Sequence, residues 1–544
     1  MMWDAEAALD PDVEDGPHTI GRWLIDRSAT SPERIAIDDR GVTTDYGALA
    51  ARAVALAERL RRAGYAAGDR VATVSGNSTD HVVAFFACAL TGVAFVPLSW
   101  RLTTRELADV LVRSAPALVL IEDEHAALAG EAMRAATASA ANAGDQMPQV
   151  AALGTTGVEA GNLPSSRRPR SWRPVRDDDP LLVIFTSGSE AAPKGVVLTH
   201  ANCFWNNLAL AQALPLRQDD VVLAMLPQFH VAAWNCQPLL AWWTGATVVL
   251  ERSFQPARAL RLIAERRVTA MMGVPTQYAM LAADREWECT DVTSLRLALV
   301  GGATMPTALQ QAWTERGVAL TQGYGLTEAG PNVLHLPAAE AADAPGAVGR
   351  PYPHVTVRVV DADSGLPLEG EATGELWVRG PSVFAGYLGD ENATARALSG
   401  GWLRSGDLVA RDAEGVYRIV DRLKDIFISG GENVAPAEVE HALCLHPLVV
   451  AAAVVGVPDP VWGERGVAFV VPAAGAALSG DELLAHARRN LAAFKVPVRI
   501  ELVDALPRST IDKLARSRLR EQARALMAQD RAGERDRTTK EVSR

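Results

Sequence analysis

A short apolar run, Leu181 to Phe185, leads into Thr186-Ser187-Gly188-Ser189-Glu190-Ala191-Ala192-Pro193-Lys194-Gly195. This stretch constrains the chain more than any other. The apolar run reads as a buried strand. The small residues after it leave consecutive backbone N–H groups free to face an anion, and the lysine adds a point charge. A Walker A loop needs glycine just before its lysine and Ser or Thr just after. Pro193 and Gly195 stand there instead, so the ordinary P-loop reading fails. A tight surface turn is the competing reading. Glu190 sets a carboxylate in a loop otherwise suited to phosphates.

At 544 residues the chain is too long for one ordinary core. From Leu181 onward, short strands such as Val221–Leu226, Ala246–Leu250 and Leu297–Val300 alternate with helix-like stretches. That alternation predicts an α/β fold with layered, largely parallel sheets. Between about 345 and 420 the pattern changes to strands separated by Gly/Asp/Pro turns, a β-rich subdomain within the large N-terminal domain. After Lys424-Asp425 an α+β region begins, with strands at Val449–Val455 and Val467–Val471 and a helix from Asp481 to Leu491. The expected division is 1–423 for the N-terminal domain, 424–525 for a small mobile C-terminal lid, and 526–544 for a disordered tail.

Two further stretches stand out. Val82 to Leu98 is apolar but carries Thr91-Gly92 and meets Pro97, so it reads as buried helix, turn and strand rather than a membrane span. The alanine-rich segment 126–143 predicts a helix. It is followed over 157–180 by a proline-rich loop with Arg167, Arg168, Arg170, Arg173 and Arg176. A solvated loop and a phosphate-binding patch both suit those charges.

The net charge of −12 argues against a general binder of nucleic acid or anionic membranes. The five cysteines show no metal-ligand spacing and read as reduced packing residues. No secretory signal is expected in the acidic first thirty residues, and a cytoplasmic protein is the expectation.

Three more motifs carry chemistry. In Tyr324-Gly325-Leu326-Thr327-Glu328 the tyrosine can stack on a base, the threonine can bind phosphate and the glutamate can hold Mg²⁺. Asp407, in Gly401-Trp402-Leu403-Arg404-Ser405-Gly406-Asp407, can accept from two ribose hydroxyls with help from Arg422, or be a turn aspartate in a surface ion pair. Lys513 lies in a C-terminal turn, Leu506-Pro507-Arg508-Ser509-Thr510-Ile511-Asp512-Lys513-Leu514.

In this order and spacing, the four motifs resemble the adenylate-forming superfamily of acyl-CoA synthetases, peptide-synthetase adenylation domains and firefly luciferases. The resemblance covers about residues 20–520. Leu226-Pro227-Gln228-Phe229-His230, Gly301-Gly302-Ala303, Gly374-Glu375-Leu376-Trp377-Val378-Arg379-Gly380 and Ser429-Gly430-Gly431-Glu432-Asn433 match it too. It implies a ligase that turns a carboxylic acid and ATP into acyl-AMP and pyrophosphate, then into a CoA thioester. By similarity Thr186, Ser187, Gly188, Ser189, Glu190 and Lys194 hold the β/γ-phosphates. Thr327 touches the α-phosphate and Glu328 the Mg²⁺. Tyr324 and Gly301 to Ala303 line the adenine, and Asp407 and Arg422 hold the ribose. Lys513 bridges carboxylate and α-phosphate. Lys424 is the hinge on which the lid would rotate, bringing Gly430 and Gly431 to the thiol tunnel. Trp462 and Lys495 can meet the nucleotide end of CoA, or be a core tryptophan and a surface lysine. His230 gates the acyl or thiol channel, or packs in a turn. Val231, Trp234, Asn235 and Gly325 complete an acyl site suited to a bulky apolar or cyclic acid.

The chain departs from the family pattern at Glu190 (usually a hydroxyl), Ala191 and Asp512 (usually glycines). A carboxylate about 4 Å from a phosphate, at an effective dielectric near 20, is repelled by roughly 4 kcal/mol. These changes fall on the adenylation half and leave two readings: an ordinary two-step ligase, and one whose weakened or lost first step is replaced by a preformed acyl-AMP from a separate enzyme. The competing readings are a stand-alone enzyme loading a carrier protein, a luciferase-like oxygenase and a non-catalytic adenylate-binding protein.

Overall fold

The computed structural model describes residues 16–140, 148–154, 157–159, 161, 163–186, 193–303, 305–341, 343–429, 432–508 and 514–542. The chain forms two compact units. The first comprises Met1–Arg358, Trp377–Ser405 and Glu414–Tyr417; the second comprises Val359–Leu376, Gly406–Ala413 and Arg418–Arg544. The second unit therefore takes up its main run at Arg418, a few residues before the expected 424. It also draws two short pieces from the β-rich stretch.

The α/β expectation holds in the first unit, which carries two largely parallel sheets. In one, strands Ile35–Asp39, Thr247–Leu250, Val221–Ala224, Ala270–Gly273, Leu297–Val300 and Leu320–Tyr324 run parallel in that order. Leu334–Leu336 and Ala347–Pro351 extend it antiparallel. In the other, Pro180–Thr186, Ala94–Leu98, Arg70–Val74, Leu118–Ile121 and Gln149–Ala152 are parallel. Lys194–Thr199 and Gly386–Tyr387 close its far edge antiparallel. Helices cover both sheets, as buried parallel strands require.

Local sequence explains the boundaries. Ser78 caps the helix Thr79–Ala89, accepting from His81 N, and the strand Ala94–Leu98 follows it. Both are buried, which is why the Val82–Leu98 run is so apolar. Thr103 and Glu106 form a reciprocal capping box on Thr104–Ser114, as Ser479 and Glu482 do on Gly480–Asn490. The helix expected over 126–143 is described over Ala126–Ala140. No described helix is long and apolar enough to cross a membrane. Cys88, Cys203 and Cys236 are buried packing residues, whereas Cys289 and Cys444 are exposed.

The second unit contains a sheet in the order Glu432–Val434, Phe427–Ser429, Gly463–Pro472, Val449–Asp459, with Arg499–Leu502 parallel to Gly463–Pro472. A helix runs from Arg516 to Val542. The backbone of 526–542, expected as a disordered tail, is described as part of that helix. Leu519 and Ala523 bury the start of this helix against Val455, Val457 and Phe469.

A buried aromatic group anchors the first unit. Trp234 stacks on Phe85 at 4.5 Å and meets Phe95 edge-on. Beside it His81 is fully buried, with Nδ1 2.9 Å from Gln228 Oε1 and Nε2 2.8 Å from the Thr73 hydroxyl. Burial pushes the His81 imidazole down to about 4, and that of buried His200 also to about 4. Both rings stay neutral in the fold but protonate near 6.5 in the unfolded chain. Below that pH the unfolded state binds more protons, so their contribution falls as pH drops from about 6.5 to 4. Thermal unfolding is expected to show Tm decreasing across that window, with a shallower slope in His81→Asn. An unchanged slope would contradict the neutral buried imidazole.

Candidate active site

The apolar strand ahead of the small-residue loop pairs antiparallel with Lys194–Thr199, placing Thr186 directly opposite Lys194. Ser187, Gly188, Ser189, Glu190 and Ala191 lie outside the described residues. On the other side of Lys194–Thr199, the two-residue strand Gly386–Tyr387 pairs with Val196 and Val197. This brings the Tyr387 ring to 5.4 Å from the Lys194 ammonium, a cation–π approach. The Tyr387 hydroxyl donates to Glu328 Oε1 at 2.8 Å, and the Phe384 N–H donates to the Glu328 carbonyl at 2.9 Å. Lys194, Tyr387 and Glu328 therefore form one chain of contacts from the phosphate-type loop to the candidate metal carboxylate. Sequence reading missed Tyr387; its only signal was a tyrosine in a Gly-Tyr pair far along the chain.

Thr327 and Glu328 sit in a single turn of 3₁₀ helix, Thr327–Ala329. Tyr324 ends its strand, and its carbonyl accepts from Val333 N. A Cβ on Gly325 would overlap the Pro331 carbonyl oxygen, so only glycine lets the backbone fold this tightly. Gly301 and Gly302 follow the strand Leu297–Val300. Gly302 has φ +82°, and both it and Ala303 are exposed, leaving an open edge.

The turn after Glu328 is held by buried asparagines. Asn235 Nδ2 donates to the Gly330 carbonyl at 2.6 Å, and its Oδ1 accepts from Asn207 Nδ2 at 3.1 Å. Its carbonyl accepts from Asn206 Nδ2 at 2.8 Å and Asn332 Nδ2 at 3.2 Å. Asn206 Oδ1 in turn accepts from Asn332 N at 3.0 Å. The helix His200–Ala213, the one-turn helix Ala232–Asn235 and the 330–332 turn are thereby tied together. Asn235 and Trp234 are both fully buried, Trp234 donating its indole N–H to the Gln228 carbonyl. Val231 is nearly buried, while His230 is half-buried with its ring edge-on to Phe229 at 4.7 Å.

The other candidates belong to the second unit. Asp407 is buried, with Oδ1 2.5 Å from Arg422 Nε. Glu375 Oε1 accepts from Gly406 N at 3.0 Å and so braces the turn before Asp407. Next to Lys424, the buried Asp425 carboxylate meets Arg520 Nη2 at 2.6 Å. Trp462 is 40 % exposed, with the Arg465 guanidinium 5.9 Å from its ring, which is not the setting of a core tryptophan. Lys495 Nζ lies 2.6 and 2.7 Å from the two oxygens of Glu438. Gly430, Gly431, Asp512 and Lys513 fall outside the described residues. Arg508 and Leu514, which flank the last two, form an antiparallel bridge.

Residues 25–388 match the AMP-binding enzyme family, and residues 438–513 match the AMP-binding enzyme C-terminal domain. A feruloyl-CoA synthase of Amycolatopsis sp is 40 % identical over 501 residues, covering 92 % of this chain and 98 % of that protein. An indoleacetate–CoA ligase of Aromatoleum aromaticum is 34 % identical over 503 residues, covering 92 % and 98 %. The crystal structure of ATP-bound MatB from Rhodopseudomonas palustris superposes with a TM-score of 0.81 at 29 % identity, covering 93 % of this chain and 98 % of that one.

The asparagine cluster yields a stability prediction. Asn235→Ala strands the buried Gly330 carbonyl and leaves the Asn207 amide with only its bond to the Cys203 carbonyl, at a cost of about 1–3 kcal/mol. Urea unfolding of the variant measures it; a loss below about 0.5 kcal/mol would show that the cluster does not hold the turn.

Proposed function

The chain belongs to the AMP-binding enzyme family and is an acid–thiol ligase, and we propose that its substrate is a bulky aromatic or cyclic carboxylic acid. The product is the acid's CoA thioester, reached through the acyl-adenylate. The observation that supports the ligase chemistry is the contact chain Lys194–Tyr387–Glu328, which brings an ammonium, a phenol and a carboxylate together beside the small-residue loop. The relatives' acids, ferulate and indoleacetate, support the ring-bearing substrate. So do the small Ala232 and Ala233 beside His230, which leave room for a ring.

A carboxylate and a polyphosphate repel each other, so positive charge must be fixed where charge builds on the reacting phosphorus. Lys194 supplies it at the β/γ end and Lys513 at the α-phosphate. Thr327 donates to the α-phosphate. Glu328 would hold Mg²⁺, its Oε1 being fixed by the Tyr387 hydroxyl, and the ion would add positive charge beside the phosphates. Tyr324 and the open Gly301–Ala303 edge receive the adenine, and the Asp407–Arg422 pair receives the ribose diol. In the second step the Ser429–Asn433 segment passes the pantetheine arm, with Gly430 and Gly431 clearing its path. Lys424 is the hinge between steps. Trp462 offers an exposed ring to the nucleotide end of CoA, whereas Lys495 reaches it only by releasing Glu438.

Glu190, Ala191 and Asp512 favour a second element of the proposal: adenylation is the weaker half, and a preformed acyl-adenylate feeds the intact thiol step. Thioester formation from synthetic acyl-adenylate and CoA should exceed that from acid, ATP and CoA by about tenfold or more, and Glu190→Thr should narrow the gap. Equal rates from both starting points contradict the weakened first step. Transfer to a carrier protein but not to CoA contradicts CoA as the acceptor.

A further inference from the structure

The arginine-rich loop that the ligase chemistry leaves unused lines a cleft of about 210 Å³ on the first unit. Arg167, Arg168 and Arg170 from that loop line it together with Arg70, and the loop arginines are exposed. Its apolar lining comes from Leu111 and Val112 of the helix Thr104–Ser114, Met133 of the helix Ala126–Ala140, and Pro148.

The location separates it from the candidate active site. Asp69, Ala117 and Pro148 immediately precede the parallel strands Arg70–Val74, Leu118–Ile121 and Gln149–Ala152, so the cleft opens at the amino ends of these strands. The small-residue loop follows the carboxyl end of a strand in the same sheet, where α/β proteins bind nucleotides.

Charge and shape specify the occupant. Four arginines face one carboxylate, Asp69, whose Oδ1 lies 3.0 Å from Arg170 Nε. Among the described lining residues guanidinium groups thus outnumber carboxylates, on a chain whose net charge is −12. Arg70 Nε and Nη2 donate to the Ser114 and Ala115 carbonyls at 2.6 and 3.0 Å, which fixes its guanidinium at the helix end. Burial holds that guanidinium below its usual range; Asp69 opposes the shift and Arg170 adds to it. The volume falls below the roughly 300–1,000 Å³ of drug-sized pockets, so it suits one ring rather than a nucleotide. An inorganic anion would leave the apolar lining unused.

We propose that this cleft is a second binding site, for a small aryl carboxylate whose acid group meets Arg70 and Arg167 and whose ring lies on Leu111, Val112 and Met133. The site stands apart from the ligase reading and survives or fails independently of it.

The test is a ¹⁹F NMR titration of the full chain with 4-fluorobenzoate, alongside the neutral 4-fluorobenzamide. Two variants at exposed positions alter the cleft: the double variant Arg167→Glu/Arg168→Glu reverses two of its charges, and Val112→Trp fills its apolar part. Saturable binding of the benzoate to the wild type, weakened about tenfold in each variant and not reproduced by the amide, is the expected result. Thioester formation should be unchanged in both variants. A titration curve identical in all three proteins, which binding in the acyl pocket alone would give, overturns the assignment. Equal affinity for the amide overturns the anion specificity.

Discussion

The antiparallel pairing of Pro180–Thr186 with Lys194–Thr199 is the interaction on which the candidate active site depends. Leu181 to Ile184 and Val196 to Leu198 are buried on both faces of the sheet, so a one-residue slip would force close-packed side chains of different size into one another's places. That cost locks the register, and the register puts Lys194 opposite Thr186. The same strand then accepts Gly386–Tyr387 on its other edge. Tyr387 can reach both the Lys194 ammonium and the Glu328 carboxylate only because two pairings share one strand.

A second constraint acts from behind. The one-turn helix Ala232–Asn235 carries too few backbone hydrogen bonds to stand alone. It is held by Trp234 in the aromatic core and by Asn235 on the Gly330 turn. Buried amides cost free energy unless partnered, and this cluster partners most of its own, leaving Asn207 Oδ1 without a hydrogen bond. The turn that presents Thr327 and Glu328 and the segment that presents His230 are thus parts of one hydrogen-bonded block.

Much of this architecture was legible in the sequence, because buried strands announce themselves as apolar runs. The strands at 221–224, 247–250 and 297–300 and the helix–strand unit within Val82–Leu98 are of that kind. Features created by long-range contact were not legible. Tyr387 lies 59 residues from the carboxylate it orients, on a two-residue strand with no periodicity of its own. Trp234 reads as a flat pocket wall beside alanines, yet it packs between Phe85 and Phe95 from another part of the chain. The arginines of 167–170 read as solvated charge, because their sequence does not show that Leu111, Val112 and Met133 line the space beside them.

In the proposed mechanism Tyr387 orients the Glu328 carboxylate for the adenylation step. Tyr387→Phe removes one hydroxyl and keeps the ring under Lys194, so the measurement is the Mg²⁺ dependence of acyl-adenylate formation in that variant. The Mg²⁺ concentration for half-maximal rate should rise about tenfold, while CoA transfer from synthetic acyl-adenylate keeps its wild-type rate. An unchanged Mg²⁺ dependence, or an equal loss in both half-reactions, would contradict it.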